Sequence, residues 1–321
     1  IRLLVKKGAG FDAASRQEIE LCLSQGALAR NISFGNTIKR ATDIAYAHSV
    51  GIELFAAYSE AELEKIARFA PGARVYIRLI VENSLADWPL SRKFGCSPAM
   101  LPDLLDHALA LGLVPHGLSF HVGSQTRDAD FWAPVLDQVA PLWHAARAAG
   151  HNLQLLNIGG GFPAFYGQPV QAPRAYAAAV ISQIKQRFGD VPAIMAEPGR
   201  GMVAEAGHIV AEVMLVSKKS ADDMHRWVYL DIGRFSGLAE TEGEAIRYQF
   251  VTRHDGGETG PCVLAGPSCD SADILYEKRP VNLPLALRDG DRIVIRNCGA
   301  YTTSYASVGF NGFPPLDVVV L

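Results

Sequence analysis

The chain has 321 residues, 49% of them hydrophobic and 20% charged, with a formal net charge of −3. This composition excludes a disordered polar chain, and the near-neutral charge gives no electrostatic basis for binding nucleic acid or an anionic membrane. Five cysteines (Cys22, Cys96, Cys262, Cys269, Cys298) with no CxxC spacing argue against a disulfide or zinc framework, and the absence of a long apolar run or signal peptide leaves a cytoplasmic protein as the expectation.

The chain opens at Ile1 in helical pattern (IRLLVKKG), and is read as lacking its beginning. From there to about residue 205, short apolar runs alternate with helical stretches. The strand candidates are GFDAAS (10–15), NISFGN (31–36), IELFAAY (52–58), RVYIRLIV (74–81), GLSFHVG (117–123), LQLLNIGGG (153–161) and AIMAEPGR (193–200). SRQEIELCLSQG is predicted to be a helix with Ser15 as N-cap and Glu18 completing a capping box, and SEAELEKIARFAPG repeats the design, with Gly72 near its end. Such alternation implies parallel βαβ units. Seven strands are visible, so the reading is an α/β fold, a (β/α)8 TIM-like barrel whose first strand lies upstream of Ile1. An open doubly wound sheet is the alternative. Residues 1–205 form this first domain.

After residue 205 the pattern changes to strand-like runs separated by Gly, Pro and Asp turns: HIVAEVMLVSKK, RWVYLDIG, GPCVLAGPSCD, DRIVIRNCGAYT and LDVVVL. Residues 206–321 are therefore predicted to be a second, mostly β domain.

Barrels carry their chemistry at the C-terminal ends of the strands, and several of these ends here are rich in functional groups. GFDAAS supplies Asp12 and leads to Glu18, GLSFHVGSQ supplies His121 and Ser124, NIGGGFP supplies Gly159, Gly160 and Gly161, and AEPGR supplies Glu197, Gly199 and Arg200. Glycine amides, a serine hydroxyl and an arginine together suit a phosphate. The carboxylate and the imidazole remain for the rest of such a ligand.

FDAAS, WPLSRKFG, FHVGSQ, NIGGGFP, AEPGR, GPSCDSAD and GAYTTSYASVGFNGFPP, in this order and over nearly the whole chain, resemble the ornithine/lysine decarboxylases, alanine-racemase-like (fold type III) pyridoxal-phosphate enzymes, and most of all their bacterial ornithine decarboxylase branch. The resemblance implies a cofactor, pyridoxal 5'-phosphate, and decarboxylation of ornithine or lysine to a diamine such as putrescine or cadaverine, a step of polyamine synthesis. It gives Glu197 the pyridine nitrogen and His121 the ring face. Ser124, Gly160, Gly161, Gly199, Arg200 and Tyr301 become the phosphate cradle, and Asp12 and Glu18 join the cofactor-binding set. Cys269 and Asp270 resemble residues that enter the neighbouring subunit's site in a homodimer, the cysteine to reprotonate the product and the aspartate to meet the distal amine. Phe310 resembles the aromatic that completes the pocket. No metal is implied.

Three departures stand out. The lysine that carries the family's cofactor sits in a strand upstream of the FD aspartate, and none of the lysines present, among them Lys39, Lys93, Lys218 and Lys219, fits that place. The loop that receives the distal amine in animal enzymes reads LAETEGEAIRY, leaving Glu240, Glu242 and Glu244 as candidates. Asn157 stands where those enzymes have an aspartate before the glycines. The competing functional readings are a non-catalytic relative of the antizyme-inhibitor kind and a diaminopimelate decarboxylase, whose substrate ends in a distal carboxylate.

Overall fold

A computed structural model describes residues 1–82 and 93–321. Trp88 to Arg92 of the WPLSRKFG stretch lie outside the described residues. The chain divides into two compact units: residues 1–161 with 171–198, and residues 162–170 with 199–321. The second unit thus begins at Gly199 rather than at the pattern change after residue 205, and it takes in the segment just after the glycine triplet.

The first unit holds seven strands: β1 (Phe11–Ala13), β2 (Ile32–Phe34), β3 (Leu54–Ala57), β4 (Arg74–Arg78), β5 (Val114–Ser119), β6 (Leu155–Asn157) and β7 (Ala193–Met195). They lie side by side in chain order, and every neighbouring pair is parallel. A doubly wound sheet reverses its direction of growth partway along, and this one does not. Because crossovers between parallel strands share one hand, growth in a single direction puts every connecting helix on the same face and leaves the other face to curl inward.

The curl can be read from side chains. The Tyr76 hydroxyl of β4 reaches Asp12 Oδ1 of β1 at 3.3 Å, although three strand spacings in a flat sheet would separate them by about 14 Å. Ala56, Tyr76 and Leu155, with Leu54 and Met195 against them, form an apolar cluster drawn from β3, β4, β6 and β7. β1 and β7 remain the two edges of the sheet, so the curled sheet is TIM-like but not closed.

The helices start where the sequence places their caps. Ser15 Oγ accepts the Glu18 N–H at 3.3 Å, and Glu18 Oε2 accepts the Ala14 N–H at 2.7 Å. Ser59 caps a second helix, Glu60–Phe69, by accepting the Glu62 N–H. The GLSFHVG strand is displaced: β5 begins three residues earlier and ends at Ser119, so His121 stands beyond the strand, in the loop at its C-terminal end.

The second unit holds β8 (Ile209–Ser217), β9 (Arg226–Leu230), β10 (Gln249–Thr252), β11 (Thr259–Ala265), β12 (Val281–Pro284) and β13 (Arg292–Arg296), in one sheet of order β10-β13-β8-β9-β11-β12. All pairs are antiparallel except β9 with β11. Val213, Val228, Leu230, Leu264, Ile293 and Ile295 give this unit its own buried core. Two strands, β10 and β12, were not expected from the sequence. The reverse holds for LDVVVL: residues 313–321 form no strand, and Val318 to Leu321 are exposed. β-propensity is realised only where a neighbouring strand supplies hydrogen-bond partners, and no described strand pairs with this run.

Candidate active site

In the first unit, strand ends β1, β5, β6 and β7 bring Asp12, His121, Asn157 and Glu197 to one wall of the curled sheet. Asp12, His121 and Glu197 all keep contact with solvent, yet each is deep enough for burial to shift its ionisation.

Glu197 Oε1 receives a 2.6 Å hydrogen bond from Asn157 Nδ2, while Asn157 Oδ1 accepts the Gly159 N–H at 2.9 Å. An aspartate at 157 could accept the second bond but not donate the first. The departure at this position therefore supplies a donor to the carboxylate. Burial raises the Glu197 carboxyl, and the Asn157 bond and the Arg78 charge act against it. Asp12 goes further, pushed up to about 8 by burial first and by the charge of Glu197 second. Hydroxyl bonds from Ser33 and Tyr76 act the other way without undoing it. At neutral pH Asp12 is thus mostly the neutral acid, held there by burial and by the neighbouring Glu197.

His121 Nδ1 accepts the Gly123 N–H at 2.9 Å, which fixes the remaining proton on Nε2. Burial, with Arg78 nearby, lowers this imidazole to about 4, so the ring is neutral. Ser124 is half-buried in the same loop. Glu18 spends its carboxylate on the helix cap, although its charge still reaches Asp12.

The glycine triplet is explained differently from the sequence expectation. A Cβ on Gly159 (φ +67°) would lie 2.3 Å from the Phe120 carbonyl oxygen, one on Gly160 2.8 Å from His121 Nε2, and one on Gly161 (φ +97°) 2.5 Å from the Gly123 carbonyl oxygen. Side chains are therefore forbidden by the protein's own loop, before any ligand is considered. The consequence still favours an anion. The N–H groups of Gly160 and Gly161 donate to no acceptor among the described residues, and Gly160 is buried. A buried amide without a partner is rare, and two adjacent ones suit a phosphate.

In the second unit, Arg200 is buried and already engaged. NH1 donates to Glu240 Oε2 at 2.7 Å and to the Tyr166 hydroxyl at 3.0 Å, NH2 donates to Glu240 Oε1, and the guanidinium lies 4.9 Å from the centroid of the Tyr301 ring. Its Nε edge carries no acceptor among the described residues. Gly199, exposed with φ +23°, precedes it.

The three acids of the LAETEGEAIRY loop are all paired: Glu240 with Arg200, exposed Glu242 with Arg234, and buried Glu244 with Arg247 and Arg279. None is an unpaired receiver for an amine. Cys269 and Asp270 stand exposed after β11, and Phe310 packs on Phe235 with ring centroids 4.7 Å apart. Pro267, Ser268, Asp273, Phe310 and Phe313 line a small pocket in this unit.

Sequence reasoning missed Arg78, Tyr76 and Ser33, and it offered Glu240 to the substrate amine rather than to Arg200. Arg78 had a legible signal, a lone cation at the C-terminal end of an apolar strand. The roles of the other three depend on partners far away in the chain.

A pyridoxal 5'-phosphate fits the donor set of the first unit. Paired orphan amides suit its phosphate, a carboxylate its protonated ring nitrogen, and a neutral imidazole its ring face.

The family profile described as pyridoxal-dependent decarboxylase, pyridoxal binding domain, matches residues 1–204. The chain is 32% identical to the lysine/ornithine decarboxylase of Selenomonas ruminantium over 317 residues, which is 98% of this chain and 78% of that protein. It is 31% identical to antizyme inhibitor 2 of Xenopus laevis, covering 98% of this chain and 71% of that one. The crystal structure of lysine/ornithine decarboxylase from Vibrio vulnificus complexed with cadaverine superimposes with a TM-score of 0.85 at 33% identity, covering 100% of this chain and 84% of that one. By the profile match, the relatives and the fold, this chain belongs to the pyridoxal-dependent decarboxylases of fold type III, related to the ornithine/lysine decarboxylases.

Proposed function

We propose that the protein decarboxylates a basic amino acid with a cationic side-chain end, ornithine or lysine, to the corresponding diamine. The observation that carries the reading is Glu197, whose Oε1 takes the Asn157 amide hydrogen bond at 2.6 Å while Asp12 beside it is pushed up to about 8. When bound, the pyridoxal group supplies an electron sink for the bond that loses carbon dioxide. Glu197 keeps the ring nitrogen protonated, the amides of Gly160 and Gly161 hold the phosphate, and neutral His121 covers the ring face. Asp12, as an acid, adds no second negative charge beside Glu197.

Asp270 receives the substrate's distal ammonium and so fixes the torsion at the reacting carbon. A flexible side chain must be pinned at its tip for that bond to stand perpendicular to the ring. Cys269 returns a proton to the carbon. The active unit is a homodimer in which these two residues serve the neighbouring subunit. Their exposure at the tip of the loop after β11 supports this reading.

A non-catalytic role has one observation in its favour, the similarity to antizyme inhibitor 2. The intact set of Glu197, Asn157, His121 and Cys269 weighs against it, since a binding protein has no use for them. The test is a kinetic comparison of ornithine, lysine and meso-diaminopimelate on the intact protein and on Asp270→Asn. Ornithine or lysine should be preferred. The variant should lose roughly two orders of magnitude in kcat/KM, at ~1.4 kcal/mol per tenfold, with unchanged cofactor absorbance. Preference for diaminopimelate, indifference to the Asp270 change, or no turnover by a cofactor-loaded protein would overturn the assignment.

A further inference from the structure

Cys269 is exposed, whereas the other four cysteines are buried. The loop that presents it, residues 266–273, is shaped by Asp273, which is only 3% exposed. Asp273 Oδ2 accepts the Ser268 N–H at 3.1 Å and the Ser268 hydroxyl at 2.7 Å, and Oδ1 accepts the Arg234 N–H at 2.7 Å. The Asp273 N–H donates to the Asp270 carbonyl at 3.0 Å, the Gly266 N–H donates to the Asp273 carbonyl at 2.8 Å, and the Ala272 N–H donates to Asp270 Oδ1 at 2.8 Å. Cys269 therefore sits on a closed ring of hydrogen bonds.

A second segment meets it. The turn Phe310–Gly312 is closed by Gly312 N–H to the Gly309 carbonyl at 2.9 Å and by Phe313 N–H to the Phe310 carbonyl at 3.1 Å. It is anchored by the Phe310 ring against Phe235. Asn311 lies in this turn with φ +50°, a left-handed conformation, between glycines at 309 and 312 that are also left-handed. Glycine would be the unstrained residue at 311. Asn is among the few side-chain residues that enter this region readily, and the Asn311 Oδ1 lies 3.5 Å from Cys269 Sγ, a thiol-to-oxygen hydrogen-bond distance.

We propose that Asn311 is a positioning residue for Cys269: its amide oxygen accepts the thiol hydrogen, keeping the proton on sulfur and aiming the S–H bond. The inference rests on the reading of Cys269 as the group that returns a proton to the decarboxylated carbon. In that step the S–H bond breaks, a C–H bond forms, and the electron pair stays on sulfur as thiolate, which solvent reprotonates. Such a donor must enter as the thiol, and an amide oxygen facing the sulfur favours that form.

The charged neighbours are few. Asp270 and Asp273 share the loop, the latter with its carboxylate already engaged by three donors. Arg234 beside Phe235 directs its guanidinium to the Ile274 carbonyl and to Glu242. Residues 307–314 carry no charge.

The test is the rate of iodoacetamide alkylation at Cys269, read by peptide mass on the intact protein as a function of pH. Asn311→Gly removes the amide and relaxes the turn, and Asn311→Asp keeps the shape and adds negative charge. The glycine variant should move the alkylation profile to lower pH and react roughly three- to tenfold faster at neutral pH. The aspartate variant should move the profile to higher pH and react more slowly. Altered access alone would change the rate without moving the midpoint. Superimposable midpoints, or a glycine profile moved to higher pH, would overturn the proposal. The readout needs no turnover, so it stands apart from failure of the decarboxylase reading itself.

Discussion

Replacing Glu240 by alanine should destabilise the second unit more than any conservative change at that position. Both side chains of the Arg200–Glu240 pair are 5% exposed, so deleting the carboxylate strands a guanidinium out of water. Removing one partner of a buried pair costs about 3–5 kcal/mol. Arg200 would retain the Tyr166 hydroxyl and the Tyr301 ring face, which places the expected loss near the lower figure, ~3 kcal/mol. Glu240→Gln keeps one acceptor and gives up the charge, at a cost of about 1–2 kcal/mol, the difference between charge-assisted and neutral hydrogen bonds. The double variant Arg200→Met/Glu240→Leu removes both charges and should be less destabilised than Glu240→Ala, because no ion is left buried. Urea unfolding at constant m-value measures all three. The losses should not shrink at high salt, since a buried pair is barely screened. Equal stability of the alanine and glutamine variants, or a double variant worse than the alanine, would refute the reasoning.

Asp12 gives a pH signature. Its folded value, about 8, lies above the ordinary 3.8, so the folded state holds a proton that the unfolded state has released. Its contribution is fully present below about 4 and is lost as pH rises through about 8. Relative to Asp12→Asn, the wild-type melting temperature should therefore fall across that window, and a flat difference would show that Asp12 ionises normally. Gly160→Ala puts a methyl 2.8 Å from His121 Nε2 and 3.0 Å from the Glu197 carbonyl oxygen. It should cost about 1–3 kcal/mol of stability and weaken pyridoxal-phosphate retention, measured by cofactor fluorescence after dialysis. For the dimer, mixing inactive Cys269→Ala chains with inactive Glu197→Ala chains should restore activity, because one site of a mixed pair is complete if Cys269 serves its neighbour. No recovery after verified subunit exchange would exclude shared sites.

The strand–helix alternation, the caps at Ser15 and Ser59, and the seven strands themselves were legible in the sequence, because each depends on residues a few positions apart, although the fifth strand ends two residues before His121. The same locality brought out His121, the glycine triplet and Glu197, which follow apolar runs closely, and the motif order pointed to the family. Partnership and ionisation were not legible. Arg200 reads as a free cation in AEPGR, but Glu240, forty positions on, holds both its terminal nitrogens. The three acids of LAETEGEAIRY look alike on paper, yet each meets a different arginine. Asp12 is pushed up to about 8 only because the curl of the sheet brings it towards Glu197 and takes its carboxyl largely out of water. LDVVVL has the composition of a strand but no described strand to pair with. Propensity and capping are short-range effects that a sequence states directly. Charge pairing, burial and strand pairing depend on distances that exist only after the chain has closed on itself.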